Sequence, residues 1–153
     1  MAIFVFFNQM SKRSLILVII QFSSFAYFLF SGRFMAKNFL FVVQIIGFII
    51  SLWGILAMKL GNFNIQPEVK VNAHFVSNGP YRIVRNPMYT GLILFFGAAV
   101  ISNYSAIHFG VFTILVIVLI EKIKMEEKFL SVKFGDIYLK YKEKTYRLIP
   151  VLF

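Results

Sequence analysis

The chain has 153 residues, of which 59% are hydrophobic and 14% charged, and its net charge is +10. In a soluble domain about 45–50% of residues are apolar, and a fold this small could not bury the surplus, so a soluble globular class is excluded and the bilayer acts as the solvent. The absence of cysteine excludes disulfides, a thiol nucleophile and thiolate metal sites.

Charges mark the spans in chain order. Between Arg13 and Arg33 lie 19 uncharged residues, SLILVIIQFSSFAYFLFSG, close to the ~20 that cross ~30 Å of hydrocarbon as a helix. Lys12 and Arg13 before an apolar run also fit a signal peptide. No small-x-small cleavage site follows, which favours a retained helix. Between Lys37 and Lys59 lie 21 uncharged residues. The third apolar run, residues 86–120, has 35 residues and is too long for one span. Its SNYS cluster at Ser102–Ser105 is rich in turn formers, so a helical hairpin is expected, with a shallow re-entrant pair as the alternative. The expected class is all-α and integral to the membrane, with four transmembrane helices near residues 14–31, 39–59, 88–102 and 105–121.

The whole chain, residues 1–153, reads as one membrane domain, and nearly every polar feature falls in residues 61–153. The loop Gly61–Arg85 is long and irregular but apolar and aromatic, a composition that suits function better than disorder. Pro87 suits the first turn of the third helix, where its missing N–H costs nothing. After the fourth span the helix should continue to Phe134, stop at Gly135, and be followed by a short helix capped by Asp136. Ile123, Glu127, Leu130 and Phe134 share one face of the long helix. Glu127 thus stands in an apolar stripe with Glu126 at its edge, and carboxylates there need partners. Lys122, Lys124 and Lys128 are the nearest candidates by spacing.

An even helix count puts both termini and the middle loop on one side. That side then holds fourteen basic residues, against Arg33 and Lys37 on the other. The asymmetry assigns both termini to the cytoplasm and the protein to the cytoplasmic (inner) membrane. Anionic headgroups account for the positive surplus, and no nucleic-acid partner is expected. With only His74 and His108 available, neither is a metal site. His108, inside the fourth helix, is expected to make a helix-packing hydrogen bond.

Nucleotide and metalloprotease motifs are absent. The segment GPYRIVRNPMYTG, Gly79 to Gly91, is followed by EEKFLSVKFGDIYLKY and RLIP. Together they resemble the isoprenylcysteine carboxyl methyltransferase and phospholipid methyltransferase group of membrane enzymes. That group typically shows Gly-x-Tyr-x-x-x-Arg-His-Pro-x-Tyr-x-Gly, then Glu-Glu-x-x-Leu-x-x-x-Phe-Gly-x-x-Tyr-x-x-Tyr. The resemblance runs from Asn62 to Pro150. It implies an S-adenosylmethionine pocket formed by the inner ends of the last two spans, the preceding loop and a cytoplasmic C-terminal helical tail. By position, Gln66, Ala73, His74, Phe75, Val76, Tyr81, Asn86, Pro87, Met88, Tyr89 and Glu126 would contact the cofactor. Arg85, Lys122 and Glu127 would be the catalytic side chains, Lys122 standing where the isoprenylcysteine enzymes have a substrate-facing arginine. Asn86 replaces the usual histidine.

The residue chemistry suits this reading. Phe75, Tyr81 and Tyr89 beside Gln66 could enclose adenine, and the helix N-terminus at Pro87 offers N–H groups to a carboxylate. A glutamate can accept from ribose hydroxyls or an ammonium. The same tyrosines would also suit an interfacial aromatic belt. The expected activity is methyl transfer to a lipophilic, isoprenoid- or lipid-like acceptor, with membrane lipids as surroundings. The alternatives are a non-enzymatic four-helix membrane protein that keeps the motif as architecture, and a membrane oxidoreductase.

Overall fold

The computed structural model describes residues 11–58, 65, 67–68 and 73–150. Expectations placed on Gln66, Lys59 and Lys70 lie outside the described residues. The described residues form no strand; they make helices α1 (Lys12–Phe30), α2 (Phe39–Met58), α3 (Pro87–Ser102), α4 (Ala106–Phe134) and α5 (Asp136–Lys144), with a short 3-10 helix at Gly79–Arg82. Helices α1, α2 and α4 are long and apolar enough to cross a membrane. Helix α3 has 16 residues, about 24 Å at ~1.5 Å per residue, less than the ~30 Å of hydrocarbon. Four spans are expected from sequence; the fold provides three of full length and a shorter fourth helix.

Local chemistry sets the ends. Ser11 caps α1 by accepting from the Ser14 amide at 3.1 Å. Ser105 caps α4 through the His108 amide at 3.2 Å, so the SNYS cluster is the hairpin turn. Asn103 Nδ2 in that turn donates to the Met35 carbonyl at 2.8 Å, and the Lys37 amide donates to Ser102 Oγ at 2.7 Å. These bonds tie the α1–α2 and α3–α4 connections together at one end of the bundle. His108 makes the expected packing bonds, to Ser105 Oγ at 2.6 Å and the Tyr27 hydroxyl at 3.2 Å.

At the opposite end Gly135 stops α4 with φ of +50°, a conformation that costs glycine little. The sequence assigns the cap of α5 to Asp136. In the fold Gly135 occupies that position and Asp136 lies in the first turn. One glycine therefore ends one helix and starts the next, and the Asp136 charge complements the helix dipole instead of capping it.

The bundle encloses an apolar core that includes Phe28, Phe96, Leu115, Leu119 and Ile123, and it also turns large apolar side chains outward. The buried face of α1 is Ser14, Leu17, Gln21, Ser24 and Phe28, while α2 turns Phe48, Ile49, Leu52 and Leu56 outward. Between apolar helices in lipid, small residues and hydrogen bonds drive association. Helices α2 and α3 cross where glycines meet: a Cβ on Gly91 would lie 2.4 Å from the Gly47 carbonyl oxygen and 2.2 Å from Ser51 Oγ. Gly91→Ala should therefore cost about 1–3 kcal/mol by overpacking. Gly110 has open space around its Cβ position, so Gly110→Ala should melt at or above the wild-type temperature in detergent. Equal melting of the two variants would contradict the crossing.

Candidate active site

The C-terminal segment organises the end of the bundle that carries α5. Residues 145–148 run back as a strap along residues 83–90. The Arg85 amide donates to the Tyr146 carbonyl at 2.8 Å, and the Tyr146 amide to the Ile83 carbonyl at 3.0 Å. Asn86 Nδ2 donates to the Arg147 carbonyl at 3.0 Å and Thr90 Oγ1 to the Leu148 carbonyl at 2.8 Å. Asn86 sits at the N-cap position of α3, yet its side chain makes no capping bond; the amide holds the strap instead.

Beneath the strap lies Glu127, buried on α4. Arg85 Nε meets one carboxylate oxygen at 3.0 Å and Arg147 Nη2 the other at 3.0 Å. The Arg85 guanidinium also donates to the backbone carbonyls of Lys142 and Thr145. The partners of Glu127 are therefore two arginines, and not the lysines that spacing offers. Lys124 pairs with Glu121 at 2.8 Å on the outside of the helix.

Consecutive helical residues point about 100° apart, since a turn holds ~3.6. Glu126 thus faces away from the strap, and its carboxylate accepts from the Tyr89 hydroxyl. It looks into an open cavity of about 70 Å³. Each element of this end supplies one wall. His74, Phe75 and Val76 come from the loop, Tyr81 from the 3-10 helix, and Asn86, Met88 and Tyr89 from the start of α3. Arg85 closes another edge. Of the other residues named from sequence, Ala73 and Pro87 lie close by in the chain without lining the cavity, while Glu127 faces the arginines and Lys122 a second cavity.

Met58, Leu130, Tyr138 and Tyr141 also line the site and were not named as site residues from sequence. The signal for the two tyrosines was present, because they end the Phe-Gly-x-x-Tyr-x-x-Tyr pattern in FGDIYLKY. Tyr141 donates to the Tyr81 carbonyl at 2.7 Å. The hydroxyls of Tyr81 and Tyr138 are buried without a partner among the described residues. Burial pushes both above the ordinary phenol range and Tyr141 up to about 12, so all three stay protonated donors near neutral pH. Buried donors without partners are uncommon.

The second cavity, about 230 Å³, lies between the helices and is walled by Phe22, Phe25, Ile55 and Leu92. Phe22 is half exposed on the outer surface of the bundle, so the groove opens toward lipid. At its inner end Lys122, almost wholly buried, donates to Gln21 Oε1 at 2.6 Å and the Ile65 carbonyl at 2.8 Å. Its Nζ stands 5.6 Å from the centre of the Tyr89 ring. Met88 and Tyr89 line both cavities. They are the wall between the two cavities. Among the described residues no cluster of His, Asp and Glu could hold a metal ion.

A family model described as phospholipid methyltransferase matches residues 39–137, about two thirds of the chain; Gln21, Phe22 and Phe25 of the second cavity and Tyr138 and Tyr141 of the first lie outside that match. A search of curated proteins finds no match to the chain.

The two adjacent glutamates should separate experimentally. Glu127→Gln breaks a buried ion pair with two arginines and should lower the stability of the ligand-free protein by about 3 kcal/mol, the scale for removing one partner of such a pair. Glu126→Gln keeps an acceptor for the Tyr89 hydroxyl and should melt within about 1 kcal/mol of the wild type. Thermal unfolding in detergent reads both, and the reverse order would contradict these roles.

Proposed function

The chain belongs to the phospholipid methyltransferase family, and from that premise we propose that it transfers a methyl group from S-adenosylmethionine to a lipophilic acceptor at the membrane surface. The observation that carries this reading is the shared wall. A site with aromatic faces, one carboxylate and two unpartnered hydroxyls touches a lipid-facing groove across Met88 and Tyr89.

The residues present fit the donor. Phe75, Val76 and Tyr81 supply apolar and aromatic surface for adenine. Glu126, Tyr81 and Tyr138 offer an acceptor and two donors for ribose hydroxyls or the ammonium, and the start of α3 offers N–H groups unused within the helix to the carboxylate. Gln66, Ala73, His74, Asn86 and Pro87 complete the proposed donor site by position in the family motif. When bound, S-adenosylmethionine supplies an already activated methyl group on a sulfonium.

The chain itself then has to orient and to exclude water, contributions that can reach ~7–11 kcal/mol of the barrier. Lys122 closes the inner end of the groove with a cationic group that can orient the acceptor. Gln21 and the Ile65 carbonyl fix its amine in place. Arg85, engaged by Glu127 and two carbonyls, sets the edge of the donor site; Glu127 acts in catalysis by holding Arg85 there. The catalytic half is residues 61–153. The tilt of basic residues supports a four-helix topology, α3 included, with both termini and this site at the cytoplasmic face of the cytoplasmic membrane.

Isothermal titration of the detergent-solubilised protein with S-adenosylmethionine should give saturable binding. Glu126→Gln should weaken it about ten- to 150-fold, the loss expected for a hydrogen bond to a charged group. No binding to the wild type, with consumption of a nicotinamide cofactor instead, would favour the oxidoreductase reading; binding of neither would favour a non-catalytic membrane protein. A reporter inserted at Asn103 should face away from the cytoplasm, and a cytoplasmic signal there would contradict the topology.

A further inference from the structure

Met88 and Tyr89 separate the two cavities, and the fold holds them in different ways. Tyr89 is pinned: its hydroxyl is bonded to Glu126, and the Lys122 ammonium stands over its ring. The Met88 side chain is unbranched and ends in a soft thioether, so it adapts to the space around it. Its position is set by α2. Ser51 Oγ donates to the Met88 carbonyl at 3.2 Å. Gly54, one turn further along α2 and buried, has no side chain where Met88 passes. A Cβ at Gly54 would lie 2.8 Å from Met88 Cγ, and 3.2 Å from both the Met88 amide nitrogen and Pro87 Cγ. The surface of α2 therefore has a recess opposite one residue of the partition. Gly47 differs, because a Cβ there would first meet the Gly91 carbonyl oxygen and the Phe95 amide nitrogen. Gly47 sets the approach of two backbones, whereas Gly54 sets the place of a side chain.

Methyl transfer puts a condition on that partition. The carbon–sulfur bond of the donor breaks with its electron pair left on sulfur, while a lone pair of the acceptor forms the new bond to carbon from the opposite side. The reacting atoms have to come within about 3–3.5 Å and in line, which leaves no room for a side chain between them. With one reactant in each cavity, the partition must be clear where they meet. Tyr89 would have to give up its bond to Glu126 to move aside, whereas Met88 only has to lie in the recess at Gly54. We infer that Gly54 is a positioning residue for methyl transfer: it keeps the Met88 side chain withdrawn against α2 and out of the line between the two cavities. The inference rests on the reading of these cavities as donor site and acceptor groove. A side chain at position 54 would push Met88 off α2. The free space beside Met88 is the pair of cavities that it lines, so the thioether would move into the path of the methyl group.

Two measurements on the full chain test this. The first is turnover of methyl-labelled S-adenosylmethionine, at saturating donor, in nanodiscs made with a total membrane lipid extract. Gly54→Ala should lower turnover per folded chain about ten- to hundredfold, the scale of a ~1 Å misplacement at the reacting centre. Adding Met88→Ala to Gly54→Ala should restore it to within about threefold of Met88→Ala alone, since the two positions act through one contact. The clash with Pro87 and the backbone persists in the double variant, so a role in helix packing alone predicts no recovery. No recovery, or unchanged turnover in Gly54→Ala, overturns the inference. The second measurement needs no turnover. The chain has no cysteine, so Met88→Cys introduces a single thiol. That thiol should react both with a charged, water-soluble methanethiosulfonate and with a maleimide carried on an acyl chain. Reaction with one reagent alone places position 88 on one cavity and overturns the inference while the donor reading stands. A wild type without turnover overturns the reading of the two cavities, and the inference with it.

Discussion

Glu127 sits on an apolar helix face with almost no water around it, and a lone carboxylate there would cost several kcal/mol. Two guanidiniums answer it from opposite directions in the chain. One comes from Arg85, just before α3, and the other from Arg147, on the C-terminal strap. Through Arg85 the same cluster reaches the carbonyls that end α5. Three pieces distant in sequence are thereby fixed against one another: the turn into α3, the inner part of α4, and the strap. Tyr81, Tyr89, Glu126, Tyr138 and Tyr141 project from those pieces or their immediate neighbours. The shape of the first cavity thus follows from one ion-pair cluster at its edge.

The rest of the bundle follows from lipid as solvent. Serines, glutamines and glycines point inward beside an apolar core of Phe28, Phe96, Leu115, Leu119 and Ile123, where they bond or let backbones approach, and many other large apolar side chains point outward. Gln44 shows the rule in one residue. It accepts from the Ala36 amide and donates to the Phe34 carbonyl, both at 2.8 Å, which fixes the α1–α2 connection from within the second helix. Gln21 does the same for Lys122 at the other end. A buried amine so held gives an otherwise apolar groove one polar end, next to the wall that divides it from the first cavity.

Much of this was legible in the sequence. The spacing of charges located the helices, and SNYS, Pro87 and Gly135 marked their ends, because turns and caps are local chemistry. The paired motifs placed Tyr81, Asn86, Met88, Tyr89 and Glu126 around one cavity. What the sequence did not reveal is mostly pairing at a distance. Nothing periodic links Glu127 to Arg147 across a helix break, or Lys122 to Gln21 on the first helix, and lysines at favourable spacing looked like nearer partners. The extent of α3 was read closely, 88–102 against Pro87–Ser102 in the fold, because the turn at Asn103 is local chemistry. Tyr138 and Tyr141 were overlooked because FGDIYLKY reads as an amphipathic surface helix until the strap folds it over the cavity.

The central claim is that a water-facing donor site and a lipid-facing acceptor groove meet at Met88 and Tyr89. The direct measurement is methyl transfer by the purified chain in nanodiscs made with a total membrane lipid extract, using donor labelled in its methyl group. Label should pass into the organic-soluble fraction, in proportion to protein and only with lipid extract present. Label that stays in the water-soluble fraction across a panel of lipid extracts, while the donor binds normally, would contradict a groove built for a lipophilic acceptor.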